Sequence, residues 1–211
     1  MTATMDLGMT DRVRPLVDAM RDFVRNEVLP LEPEYRAEIA VSADPWIPTP
    51  RIREILSGLQ ARARAAGLWN LFLTDSDAGA GLTTVEYAYL AEEMGWSALA
   101  PVATNCAAPD AGNMEVLARY GGEAQKERWL KPLLEAEIRS AFAMTEPDVA
   151  SCDATNISMT AVLEADEWAL NGEKYFVSGP GDPSCELLIV MVKTNPGADR
   201  HHQHSQILVP M

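Results

Sequence analysis

The sequence predicts an α+β protein, with an all-helical segment over residues 1–138 followed by an antiparallel β segment over residues 139–211. Three observations carry this. Apolar residues recur at three- and four-residue steps through most of the first part, the period of a helix with one buried face. After Ser140 the period shortens to that of strands, and Asn171-Gly172 supplies a two-residue turn signal. Apolar residues make up 47% of the 211, enough to build a core and too many for a disordered chain.

Each element has its own warrant. Val13, Leu16, Val17, Met20, Val24 and Val28 form one helical stripe, which Pro30 ends because it has no N–H to donate. Ile52, Ile55, Leu56, Leu59 and Ala63 form a second stripe that stops near Gly67. Thr83-Thr-Val-Glu86 is a capping box, in which hydroxyl and carboxylate each take an orphan backbone N–H. The helix it opens runs to Met94, with Gly95 expected at the left-handed position beyond the end. A helix from about Asp110 ends at Gly121-Gly122, and Glu123 to Leu134 forms the next, distorted at Pro132. In the β part, Asn171-Gly172 is expected to join Glu167–Leu170 to Lys174–Ser178, since a type I′ turn needs positive φ at both central residues. Glu186–Lys193 and Ser205–Val209 are further strands, rich in branched residues and bounded by Pro, Gly and Asn.

Composition excludes several roles. A net charge of −14 repels nucleic acid and anionic membranes, whose binding rests on Lys and Arg meeting phosphates. The longest apolar run, Leu187 to Val192, is far short of the ~20 residues of a membrane helix. The N-terminal residues lack the basic and apolar regions of a secretory signal, and are not Arg-rich as an import segment would be. The three cysteines, Cys106, Cys152 and Cys185, show no paired spacing, which suits a reducing compartment. A cytoplasmic address is expected.

Two segments carry chemistry. Ala141-Phe-Ala-Met-Thr-Glu-Pro-Asp-Val-Ala-Ser-Cys-Asp-Ala-Thr-Asn156 leaves an apolar run and enters a loop of small residues, hydroxyls and carboxylates bent by Pro147. Such a loop lets backbone approach a flat ligand closely. It can equally be a strand-to-turn connection in which Ser151 or Asp153 caps local N–H groups. Asn171-Gly-Glu-Lys-Tyr-Phe-Val-Ser-Gly179 presents an aromatic, an aliphatic and a hydroxyl in succession, and aromatic strand residues often simply pack a core.

Together the two segments resemble the flavin-contacting segments of acyl-CoA dehydrogenases, which carry a Met/Leu-Thr-Glu-Pro…Ala-Gly-Ser-Asp run and then a Trp-Ile-Thr strand after an Asn-Gly hairpin. The likeness is closest to the subgroup whose loop reads Thr-Glu-Pro-Asp-Val-Ala-Ser-Ser-Asp-Ala-Thr-Asn. It extends to Gly67-Leu-Trp-Asn-Leu-Phe-Leu73, Tyr89–Met94, Asn105–Glu115 and Gln206–Met211, and covers the chain from Asp11 onward. Cys152, a poorer hydrogen-bond donor, stands where the family usually has Ser. Phe176 stands where Trp is frequent, without the indole N–H.

The resemblance implies a barrel-like middle domain over 139–211 that is incomplete, and FAD as cofactor. Phe142, Ala143, Met144, Thr145, Ser151, Cys152, Phe176, Val177 and Ser178 would contact the flavin. Thr145 would offer donors to the ring's pyrimidine end, where charge gathers as it accepts a hydride. Phe176 would lie against the ring and Ser178 near its N5 and O4. Cys152, Thr104 and Asn105 would face the substrate, with residues around Thr104 to Ala108 helical. The reaction implied is α,β-dehydrogenation of an acyl-CoA thioester, with an electron-transfer flavoprotein as acceptor.

The family also has a C-terminal helical bundle that carries the catalytic Glu base, and the sequence ends at Pro210-Met211. No catalytic residue is therefore expected here, since Glu146 matches the loop's structural Glu. The chain is expected to supply a flavin half-site, to hold FAD weakly by itself, and to act as a homo-oligomer or with a chain carrying the bundle. A catalytically silent assembly subunit and an oxidase on the same fold are the alternatives. His201-His-Gln-His204 lacks the helical i, i+4 spacing of a metal site, and Asp75-Ser-Asp77 lacks the terminal Glu of a calcium loop. No metal is expected.

Overall fold

The computed structural model describes residues 7–44, 46–74 and 79–211. The chain forms two compact units, Met1–Ala111 and Gly112–Met211. The Asp75-Ser-Asp77 loop lies outside the described residues.

In the first unit, α1 (Arg14–Phe23) buries Val17, Met20 and Phe23 on one face. A π-helical turn, Val24–Val28, continues it and closes with Leu29 N–H donating to the Val24 carbonyl at 2.9 Å. Pro30 follows, and the helix stops there as expected. A second helix, α2 (Glu32–Val41), was not foreseen. It buries Glu32 rather than an apolar stripe, and the Arg36 guanidinium donates to that carboxylate, so periodicity could not announce it. α3 (Pro50–Ala65) is capped by Thr49, whose hydroxyl accepts the Ile52 N–H at 3.2 Å. It buries Ile52, Ile55, Leu59 and Ala63 and ends where Gly67 takes a φ of +69°.

The capping box of α4 (Thr84–Met94) is formed at both bonds: Thr83 accepts from the Glu86 N–H at 3.2 Å, and Glu86 accepts from the Thr83 N–H at 2.9 Å. Gly95 is not left-handed. Its φ is −61°, because the chain keeps turning right-handedly until the Ser97 hydroxyl accepts the Leu99 N–H and α5 (Ala100–Ala103) begins. Among the described residues no helix is long and apolar enough to cross a membrane.

The second unit takes in most of α6 (Asp110–Tyr120). Gly121 ends it: a Cβ there would stand 2.5 Å from the Leu117 carbonyl oxygen. The Glu123–Leu134 helix is distorted as expected, but one turn before Pro132. It runs as α7 (Glu123–Gln125), a π-helical turn over Lys126–Leu130, and α8 (Lys131–Leu134). Pro132 thereby falls in the first turn of α8, where a missing N–H costs nothing.

Five strands follow: β1 (Arg139–Ala143), β2 (Thr160–Glu164), β3 (Glu167–Asn171), β4 (Cys185–Lys193) and β5 (His204–Pro210). The α+β class stands, and the sheet is a curled half-barrel. Its pairing is mixed rather than purely antiparallel. The central strand β4 runs parallel to β1, antiparallel to β5, and meets β2 in parallel only at Thr160 opposite Lys193. Ala143, Ala161, Val190 and Val192 form the core of this sheet, with Met159, Leu170, Val177 and Ile207 packed against it.

The Asn171-Gly172 hairpin is a second correction. β3 pairs backward with β2 through a turn at Ala165-Asp166, where Ala165 takes a φ of +55°. Residues 174–178 are not a strand. Gly172, at φ +150°, passes over Met159 so closely that a Cβ would sit 2.6 Å from its Cγ. The chain is thus led away from β3, and Tyr175 donates its N–H to the Thr145 carbonyl at 3.0 Å instead. Gly172→Ala is therefore expected to destabilise the protein by about 1–3 kcal/mol through overpacking and strain. Urea unfolding of the two proteins measures it, and an unchanged midpoint would refute this account of the turn.

Candidate functional site

The two chemistry-bearing segments meet within the second unit, and a buried ion pair joins them. Glu146, 3% exposed in its side chain, receives Lys174 Nζ at 2.8 Å; the Lys174 side chain is itself only 8% exposed. The same ammonium donates to the Met144 carbonyl at 3.0 Å. The Glu146 carboxylate also accepts from the Ser158 N–H at 2.8 Å, the Ser158 hydroxyl at 2.6 Å and the Met159 N–H at 2.9 Å. The Ser151 hydroxyl oxygen takes the Glu146 N–H at 2.8 Å and so closes the loop on itself. One carboxylate thereby fixes both ends of the Thr145–Asn156 loop, the entry to β2 and the segment leading to Phe176.

Burial alone would raise the Glu146 carboxyl. The Lys174 ammonium, the Ser158 hydroxyl and the two backbone N–H groups outweigh it and hold the pKa down to about 2. Such a group is a poor proton acceptor, and its oxygens are already bonded. Glu146 is thus structural, as its match to the loop implied.

Around this hub the expected flavin residues divide into three sets. Ala143 and Val177 serve the sheet core, and Ser151 is buried with its oxygen bonded to Glu146. Phe142, Met144 and Thr145 are half-buried along β1 and its exit. Cys152, Phe176 and Ser178 are exposed. Phe176 is 84% exposed and holds a φ of +50°, a conformation that costs a bulky L-residue roughly 1–2 kcal/mol. The Tyr175 ring lies 4.3 Å from it, centroid to centroid. Asp153 accepts from the Thr155 N–H at 2.9 Å and pairs with Arg200 at 2.9 Å. The capping roles open for Ser151 and Asp153 are therefore real.

Thr104 and Asn105 belong to the first unit. They lie in a turn after α5 rather than in a helix, because Asn105 takes a φ of +55°. The Thr104 hydroxyl donates to the Ala100 carbonyl at 3.0 Å, and the Asn105 side-chain amide donates to the side-chain Oδ1 of Asn70 at 2.7 Å. Asn70 is also left-handed, at φ +55°. Among the described residues no three His, Cys, Asp or Glu side chains are grouped to hold a metal ion.

Sequence reasoning missed Lys174 and Ser158. Their roles come from carbonyl and carboxylate groups many residues distant, so no local pattern marks them. A lysine held between Gly172 and the aromatic pair Tyr175-Phe176 was the only trace.

The chain thus joins a helical unit to a mixed half-barrel in which an exposed aromatic follows the segment bonded to a Thr-Glu-Pro loop. Residues 10–137 match the acyl-CoA dehydrogenase N-terminal domain and residues 141–211 the acyl-CoA dehydrogenase middle domain. The chain belongs to the acyl-CoA dehydrogenase family. It is 52% identical over 209 residues to mouse acyl-CoA dehydrogenase family member 10, covering 97% of this chain and 19% of that protein. It is 46% identical to a probable acyl-CoA dehydrogenase of Mycobacterium tuberculosis, covering 98% of this chain and 50% of that one. A solved Mycobacterium abscessus protein described as a candidate acyl-CoA dehydrogenase superposes with a TM-score of 0.87 at 50% identity, over 97% of this chain and 51% of the other. The chain thus spans at most about half the length of these relatives. A Bacillus anthracis acyl-CoA dehydrogenase complexed with FAD shares the fold, with a TM-score of 0.63 at 23% identity, over 98% of this chain and 32% of that one.

The low Glu146 pKa sets an acid limit. Its folded value lies below its ordinary value of 4.5, so unfolding takes up a proton between about 2 and 4.5. The stabilisation, on the order of 3 kcal/mol, is fully present above pH 4.5 and is lost as pH falls towards 2. Urea unfolding from pH 6 to 2.5 measures it. Glu146→Gln is expected to flatten the slope below pH 4.5, and a wild-type slope in that variant would refute the assignment.

Proposed function

We propose that this chain supplies the FAD-facing half-site of an acyl-CoA dehydrogenase acting on an acyl-CoA thioester. The observation that carries the reading is Phe176. An aromatic ring exposed and held in a strained backbone conformation, one residue from the amide that binds the Thr145 carbonyl, buries little surface to offset that strain. A flat cofactor lying on that ring would bury it. The groups beside it fit FAD: half-buried Thr145 and exposed Ser178 carry hydroxyls that could meet a flavin's polar edges.

FAD, when bound, supplies the acceptor for the hydride leaving the acyl β-carbon. Thr145 offers a hydroxyl and a backbone N–H where charge gathers, already positioned by the loop's bonds. Ser178 would hydrogen-bond near the ring's N5 and O4, and Phe176 would lie against the ring and exclude water there. Cys152, exposed on the loop, takes the place of the family's Ser near the thioester arm. The substrate-facing role of Thr104 and Asn105 rests on the family resemblance alone, since both side chains are buried and bonded within the first unit. The base that takes the acyl α-proton is assigned to the helical bundle that the family resemblance implies. An electron-transfer flavoprotein as acceptor, a cytoplasmic address and oligomeric assembly belong to the same proposal.

In the FAD-loaded enzyme, Thr145→Ala is expected to slow flavin reduction by an acyl-CoA by about 10–1000-fold, the range for losing one charge-stabilising donor. Ser178→Ala acts in the same direction by a smaller factor. Stopped-flow absorbance reads both, and unchanged reduction would remove Thr145 from the site. Phe176→Asn gives a test of opposite signs. Asparagine tolerates the left-handed backbone, so stability should hold or rise by about 1 kcal/mol while FAD affinity falls. Loss of stability with unchanged affinity would make Phe176 an ordinary packing residue.

A further inference from the structure

The Lys174 side chain is nearly buried, and a cation there is costly unless it is paired and hydrogen-bonded. Its Nζ has two partners on one loop, the Met144 carbonyl at 3.0 Å and the Glu146 carboxylate at 2.8 Å, which flank Thr145 in sequence. The next residue on its own side, Tyr175, donates its N–H to the carbonyl of Thr145 itself at 3.0 Å. Three successive residues, Met144, Thr145 and Glu146, are therefore gripped by two successive residues, Lys174 and Tyr175. Phe176 follows immediately, exposed and left-handed.

We propose that Lys174 is a positioning residue for flavin binding: through Met144 and Glu146 it sets the register between the Thr145 loop and the Phe176 segment. The role rests on the flavin reading given above. It does not require Lys174 to touch the cofactor. The ammonium acts as a spacer with fixed contacts, holding a hydroxyl-bearing loop and an aromatic face at one separation. The geometry suits lysine. A neutral side chain would leave the Glu146 carboxylate buried without its cation, and arginine would widen the gap with a planar fork. No ladder hydrogen bond replaces this grip, since residues 174–178 form no strand. The strained φ of Phe176 is thus maintained from one side by Tyr175–Thr145 and Lys174–Glu146, and from the other by Val177 packed on the sheet core.

The experiment compares wild type, Lys174→Met and Lys174→Arg in the FAD-loaded enzyme. FAD affinity is read by titration of the apoprotein, the flavin's visible absorption band by spectrum, and amide exchange at Tyr175, Ser158 and Met159 by mass spectrometry. Lys174→Met is expected to weaken FAD binding about ten- to a hundredfold, as for one lost hydrogen bond to a charged group, with an altered flavin band and faster exchange at Tyr175. Lys174→Arg is expected to restore the fold and most of the exchange protection, but not the wild-type flavin band. Should Lys174→Met fail to fold, Lys174→Arg alone decides: a wild-type band and affinity would overturn the proposal. Faster exchange with unchanged affinity and band would also overturn it, reducing Lys174 to a stability residue. A full-length wild-type enzyme that takes up no FAD would sink the flavin reading and the positioning role together. Wild-type uptake with both variants unchanged would sink only the latter.

Discussion

Two opposite charges meet inside the second unit, and most of what surrounds them is arranged by that meeting. A carboxylate removed from water is unfavourable by several kcal/mol, and a single cation seldom offsets that loss. Glu146 is tolerable because four donors converge on it: the Ser158 N–H and hydroxyl, the Met159 N–H and Lys174 Nζ. Satisfying those bonds dictates where the loop after β1 returns, where β2 begins and where the chain after β3 must pass. The sheet could exist without this arrangement. The loop geometry could not.

The same constraint explains why the exposed face beside the loop is strained. With Tyr175 bonded to Thr145 and Val177 held in the core, Phe176 has little freedom left between them. Its backbone turns left-handed and its ring is set outward. Strain of this kind persists when neighbouring contacts over-determine the conformation. Gly172 contributes by a different route: lacking a Cβ, it lets the chain cross Met159 and leave β3 at the angle that brings Lys174 to Glu146.

Electrostatics narrow how a phosphate-bearing cofactor could be held. The chain carries a net charge of −14, so any anion site works against the global field. Lys174 is committed to Glu146, and Arg200 pairs with Asp153. Backbone N–H groups of the loop are donors that carry no formal charge, and a loop built from small residues allows close backbone approach.

The sequence by itself determined the order of helical and β parts, the capping box at Thr83, the end of α3 at Gly67 and the strands β4 and β5. Those features depend on local periodicity, capping chemistry and branched runs, all written within a few residues. It also determined the family, because the Thr-Glu-Pro-Asp loop and the Tyr-Phe-Val-Ser segment keep their order. Only the tertiary structure decided the rest. α2 has no apolar stripe to read, since it buries an acid. The Asn171-Gly172 turn yielded to Ala165-Asp166, because β2 was the available partner for β3. The parallel pairing of β1 with β4 depends on contacts far apart in the chain. The Glu146–Lys174 pair is the same case in its strongest form: an acid and a base 28 positions apart carry no mutual signal until the fold removes them from water together.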